Sequence, residues 1–233
     1  MLFKMLRKII NTFFISGMVV SLFLTVLLTN LQYVVVNKDF YKEEYVKNNV
    51  MLVTGMNIEE LMRVTRIMQR YLMGKEETLD VMAKINGSRQ RMFNDRELAH
   101  MKDVKNLFQM GFFIRNMSII VFLLIFTYFL FTKSFYKVLD YLLKSTIFII
   151  ILLLVFALGV MLNFDNWFTV FHLVFFDNDL WLLDVERDRL IQMFPLEFFQ
   201  DVVFLIFKNA FFTFAVILGI VYGIMKMTKK PVF

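Results

Sequence analysis

The stretch MSIIVFLLIFTYFLFTKSFYKVLDYLLKSTIFIIILLLVFALGVML, residues 117–162, holds two apolar runs separated by a short basic segment. A helix of about 20 mainly apolar residues spans the hydrocarbon core of a bilayer. Each run reaches that length once its flanks are added, giving spans at 112–132 and 143–162 with a connection at 133–142. Working outward, a third run covers about 9–36 and a fourth covers 199–225. The expected fold is an all-α polytopic membrane protein with four transmembrane helices. Composition agrees: the chain is 59% hydrophobic with 30 Phe, too apolar and aromatic for an ordinary water-soluble domain. Lys4, Arg7 and Lys8 before the first run resemble a signal-peptide n-region. The run is long and lacks a small-x-small cleavage site, so it is read as an uncleaved span.

Orientation follows the distribution of Lys and Arg in the short segments. Lys4, Arg7 and Lys8 precede span 1. Lys133, Lys137 and Lys144 lie between spans 2 and 3, and Lys226, Lys229 and Lys230 follow span 4. Four spans put all three segments on one side, read as cytoplasmic, with residues 1–8 and 226–233 as the two inner termini. Residues 37–111 and 163–198 then form extracellular regions, the second with seven acidic residues offset only by Arg187 and Arg189. The formal charge of +6 is explained by this topology, and nucleic acid is not expected as a partner. Membrane lipid is.

The first outer region is predicted to be largely helical. Asn57 and Glu60 fit a capping box ahead of LMRVTRIMQRYLM, and Asn94 and Glu97 fit a second one. The helix opened by Asn94 is expected to run into span 2. Residues 79–93 alternate around Asn86-Gly87, a hairpin signal. The second outer region reads as short helices at the interface, with Trp167 and Trp181 at headgroup level and Pro195 in the first turn of the last helix.

The chain has two histidines and no cysteine. No disulfide, thiolate metal site or enzyme thiol is therefore available. His100 falls on the helix before span 2, with Glu97 and Asp103 three residues to either side on one face. His172 follows span 3 in FTVFHLVFFDNDLW, residues 168–181. Three readings apply to the pair. Each can be an interfacial side chain with a hydrogen-bond partner. Together they can ligate a metal, for which two histidines without Cys or an HExxH pair are a poor signal. Or they can do acid–base chemistry on a lipid-like substrate, because imidazole titrates near neutral pH. No metal or cofactor is expected. Arg115 lies a few residues into span 2 and is read as snorkelling to the headgroups. Lys208 lies about 14 Å into span 4 at 1.5 Å per residue, a costly place that makes it a candidate for holding a polar substrate group.

ELAHMKDVKNLF (97–108) resembles the E-x-x-H-M-x-D-V-K signature of the bacterial lipoprotein intramolecular transacylase family. FHLVFFDNDLWLLDVERDRLIQMFPLEFF (171–199) resembles its second signature: F-H, then F-x-N-x-x-W, an Asp, L-I and P-x-x-F-F. The order of spans and loops is similar as well, with 37–93 the least alike. The resemblance implies an acyltransferase of the Gram-positive cell envelope whose partners are diacylated lipoproteins. It would move the sn-2 acyl chain of a diacylglyceryl-cysteine to the α-amino group of the same cysteine, giving a lyso-form lipoprotein. It implies His100 and His172 as catalytic residues; beside the resemblance, Glu97, Asp103, Arg115, Asp177, Trp181 and Lys208 are candidate supporting residues, Glu97 or Asp103 to orient His100. An ester-to-amine shift needs a base for the amine, a donor for the oxyanion and leaving oxygen, and no enzyme nucleophile. The competing classes are a non-enzymatic membrane sensor or transporter accessory subunit, in which both histidines tolerate alanine, and a coupled transporter, which the lack of acids deep in the spans disfavours.

Overall fold

Continuous apolar sequence becomes continuous helix in the computed structural model, which describes residues 2–131 and 135–228. The elements in chain order are α1 (Leu2–Val36), α2 (Lys38–Lys47), α3 (Val50–Thr54), α4 (Ile58–Leu72), β1 (Met82–Ile85), β2 (Ser88–Arg91), α5 (Asp95–Phe131), α6 (Phe135–Leu162), α7 (Phe164–Phe175), α8 (Arg189–Met193) and α9 (Leu196–Thr228). Among the described residues four helices are long and apolar enough to cross a membrane: Ile9–Val36 of α1, α5, α6 and α9. Lys133, Lys229 and Lys230, and the side chains of Lys4, Arg7 and Lys8, lie outside the description.

All four of these helices begin earlier than their apolar runs, α5 and α6 by the most. The segment 133–142, expected as a connection, is already helical from Phe135. Its Val138, Leu139 and Leu142 are buried at helical spacing, and Lys144 pairs with Asp140 at 2.7 Å one turn back. Helix α5 starts at the second capping box. Asp95, Arg96, Glu97, Lys102 and Asp103 crowd its first turns, which confines the membrane-crossing stretch to residues beyond them.

The chain divides into two compact units. The first comprises residues 1–31, 112–159 and 206–233 and is built from the apolar parts of α1, α5, α6 and α9. Met18, Phe129, Val138, Leu139, Leu142 and Val221 form one buried cluster, and Val26, Ile149, Leu153, Ala210 and Phe214 form a second. Around them Leu124, Phe148, Val155, Phe212 and Val216 are exposed. An apolar surface of that kind is stable in lipid rather than in water.

The second unit comprises residues 32–111 and 160–205. Tyr41, Tyr45, Phe194 and Phe198 interlock at its centre, with ring centroids 4.9–6.4 Å apart. The Tyr45 hydroxyl shares a 2.5 Å hydrogen bond with Thr65. The hairpin β1–β2 turns at Asn86-Gly87, both with positive φ as a two-residue type I′ loop requires. Helix α4 is capped by Asn57, whose side chain accepts from the Glu60 amide at 2.9 Å. The reciprocal half of that capping box does not form. The Glu60 carboxylate instead takes a bidentate bond from Arg63 and the Lys84 amide of β1, which pulls its pKa down to about 2. A guanidinium fork and a strand amide hold it better than its own cap would.

A candidate histidine site

The capping box at the start of α5 does form fully. Asn94 Oδ1 accepts from the Glu97 amide at 3.0 Å, and Glu97 Oε2 accepts from the Asn94 amide at 2.7 Å. One turn further on, the helix presents His100. Helix α7 presents His172 near its C-terminal end. The two rings lie 6.1 Å apart, centroid to centroid, and are only 6% and 7% exposed. Phe176 contacts both, at 5.2 Å from His100 and 5.6 Å from His172. Phe168 and Phe171 lie 4.4 and 5.3 Å from His172, and Trp181 stacks on it at 4.7 Å and 25°.

One hydrogen bond fixes the tautomer of His172. Its Nδ1 lies 2.7 Å from the Phe168 carbonyl oxygen. A carbonyl only accepts, so Nδ1 carries the proton and Nε2 is left with a lone pair. His100 Nδ1 is buried without a hydrogen-bond partner. Burial disfavours the charged form of both rings. It pushes His100 down to about 4, helped by the neighbouring His172 and opposed by Asp103. His172 is lowered by burial too, with the bond to Phe168 opposing. Both are neutral at pH 7.

The carboxylates expected to orient His100 do other work. Glu97 uses its second oxygen, Oε1, to accept from the Leu190 amide at 2.6 Å, and neither oxygen bonds the ring. Asp103 accepts from Asn178 Nδ2 at 2.9 Å. Buried backbone amides without partners are costly, and Glu97 satisfies two of them. Trp181 joins the site as a stacking partner. Asp177 is exposed and makes none of these contacts. Arg115 and Lys208 belong to the spanning unit: Arg115 lies 5.5 Å over the Phe112 ring and donates to Asn116, and Lys208 is exposed on α9.

Residues not named as site candidates from sequence complete the frame. Asn94 Nδ2 donates to Asp188 at 2.7 Å, and Asp188 also accepts from the Asp184 amide at 2.7 Å. Arg96 donates to the Asp179 carbonyl. The only local signal for any of them was the capping box. Among the described residues no group of three or more His, Asp or Glu is placed to hold a metal ion.

Fold and site together define a multi-pass α-helical membrane protein that carries a buried pair of neutral imidazoles packed among aromatic rings. A family model described as lipoprotein intramolecular transacylase Lit matches residues 16–199, and the chain belongs to this family of acyltransferases. An uncharacterized protein of Aquifex aeolicus (strain VF5) is 33% identical over 150 residues, 63% of this chain; the match spans 64% of that relative's length. The in meso structure of the membrane integral lipoprotein intramolecular transacylase Lit from Bacillus cereus superposes with a TM-score of 0.80 at 22% identity, covering 95% of this chain and 98% of that one. A variant of the same protein with a histidine replaced by alanine gives 0.79 at 21% identity, over 96% and 97% of the two chains. At these identities the likeness is one of fold.

Proposed function

We propose that this chain moves the sn-2 acyl chain of a diacylglyceryl-cysteine lipoprotein to the α-amino group of the same cysteine, at the extracellular face, leaving a lyso-form lipoprotein. The observation that carries the reading is the pairing of His172, its Nε2 lone pair unprotonated, with His100 in one buried pocket. The amine nitrogen attacks the ester carbonyl. His172 Nε2 takes a proton from that nitrogen, the C–N bond forms, and the carbonyl oxygen becomes an oxyanion. His100 donates a hydrogen bond to the oxyanion, the ester C–O bond breaks, and the His172 imidazolium gives the proton it took to the leaving glyceryl oxygen. The net change relocates one proton from the amine to the freed glyceryl hydroxyl and returns both rings to their starting state. Nucleophile and ester sit in one substrate, so holding them together supplies much of the rate. The aromatic walls suit acyl chains and exclude water, which strengthens every hydrogen bond to the oxyanion.

The test is mass spectrometry of one lipoprotein's N-terminal lipopeptide from a host that otherwise leaves the cysteine amine free. Expression of the chain should shift one acyl chain from glyceryl to nitrogen at unchanged total mass. His100→Ala and His172→Ala should each slow this by about 10²–10⁴-fold, the usual worth of a general acid or base. An unchanged diacylglyceryl peptide with the native chain would remove the transacylase reading for this protein.

A further inference from the structure

Glu97 is the one acidic side chain among the largest fully buried residues, 1% exposed. Neither oxygen touches a histidine, and each is held by a backbone amide. Oε2 takes the Asn94 amide at the mouth of α5, and Oε1 takes the Leu190 amide, 93 residues away in the chain. Asn94 extends the link to Asp188, and Asp188 to the Asp184 amide. The segment that leaves α7 is thus tied at its far end to the first turn of α5. Its near end is tied to α5 as well, through Asn178 to Asp103 and Asp179 to Arg96. Between these ties lies Trp181, stacked on His172. Glu97 is one helical turn before His100.

We propose that Glu97 is a positioning residue: by accepting the Asn94 and Leu190 amides it fixes the first turn of α5 against the 176–190 segment, and so sets His100 relative to Trp181 and His172. This rests on the transacylase reading for its activity readout alone. A glutamine at this position keeps the shape but has only one acceptor oxygen, and its NH₂ cannot accept from a second amide. One buried amide then loses its partner and the turn must shift.

The experiment compares Glu97→Gln with the native chain in detergent micelles, with Glu60→Gln as control. Glu60 is the corresponding glutamate of the α4 capping box, bound to Arg63 and Lys84 instead. The chain holds only two histidines, so isotope-labelled histidine gives two imidazole signals, assigned with His172→Ala. Glu97→Gln should move the His100 signal and lower kcat by about tenfold, the worth of one lost buried acceptor, at nearly unchanged KM. Glu60→Gln should lower the melting temperature while leaving both imidazole signals and kcat alone. A folded Glu97→Gln protein with native kcat and an unmoved His100 signal overturns the proposal. If Glu97→Gln does not fold, Asn94→Ala, which removes the tie to Asp188 and the cap on the Glu97 amide but leaves both Glu97 oxygens their backbone amides, should give a smaller shift of the same kind; no shift there also overturns it. The two readings fail separately. A fully active His100→Ala would sink the transacylase role of that ring, and the histidine signals would still report on Glu97.

Discussion

At His172 one hydrogen bond and burial among aromatic rings leave Nε2 free for the proposed role as base. The Phe168 carbonyl claims the Nδ1 proton, and burial lowers the ring's pKa and favours its neutral form, with the bond to Phe168 opposing. The ionisation that limits the rate near neutral pH is then the substrate's α-amine, with a pKa near about 8. We expect turnover to rise from pH 6 toward about 8.5 with no inflection near the free-histidine value of about 6.5; a limb at that value in a pH–rate profile would mean an exposed, ordinary imidazole. Stability depends on pH through the same burial. A histidine depressed in the folded state binds fewer protons there than when unfolded, so stability is intact above about 6.5 and falls as pH drops toward His100's lowered value of about 4. Thermal unfolding in detergent should show that loss, and His100→Ala should blunt it. Trp181 supports His172 by stacking. Replacing it with Ala should cost up to about tenfold in turnover, the upper range for an aromatic pair, and Trp181→Phe should restore most of it.

At the scale of elements, local signals were read directly and distant ones were not. The spans follow from unbroken apolar sequence, the hairpin from Asn86-Gly87, and the start of α5 from Asn94 and Glu97. Each depends on neighbours within a few residues. The spacing of Glu97 and His100 shows a shared face and says nothing of what else the carboxylate meets, so its partner at Leu190 was invisible. The same limit applies to Glu60, drawn off its cap by the β1 strand. It applies also to Gly55, which no local pattern marked. Gly55 has φ +67, and a Cβ there would overlap the Asn86 side-chain carboxamide, while the Asn86 backbone N–H donates to the Gly55 carbonyl at 2.9 Å. Gly55→Ala forces strain on the backbone and displaces the hairpin turn. It should destabilise the protein by about 1–3 kcal/mol, read as a lower unfolding midpoint, with the lipopeptide product unchanged in kind.

For the whole molecule the open quantity is which unit faces which side of the membrane, and the chain's lack of cysteine makes it directly measurable. The proposed topology puts both termini and the connection before α6 in the cytoplasm, because Lys137, Lys144 and Lys226 flank the spans there and positive charge is retained inside. The non-spanning unit then lies outside, despite its own Lys and Arg, because long segments translocate largely regardless of charge. Single-cysteine variants at exposed positions separate the sides. Ser88→Cys in the hairpin should react with a membrane-impermeant maleimide in intact cells. Lys137→Cys and Lys226→Cys should react only after the membrane is opened. The outcome also bears on the chemistry, since a lipoprotein exported across the membrane presents its diacylglyceryl-cysteine on the outer leaflet. Labelling of Lys226→Cys in intact cells, with Ser88→Cys protected, would place the histidine pair on the wrong side of the membrane for that substrate, and the transacylation proposed here would have no access to it.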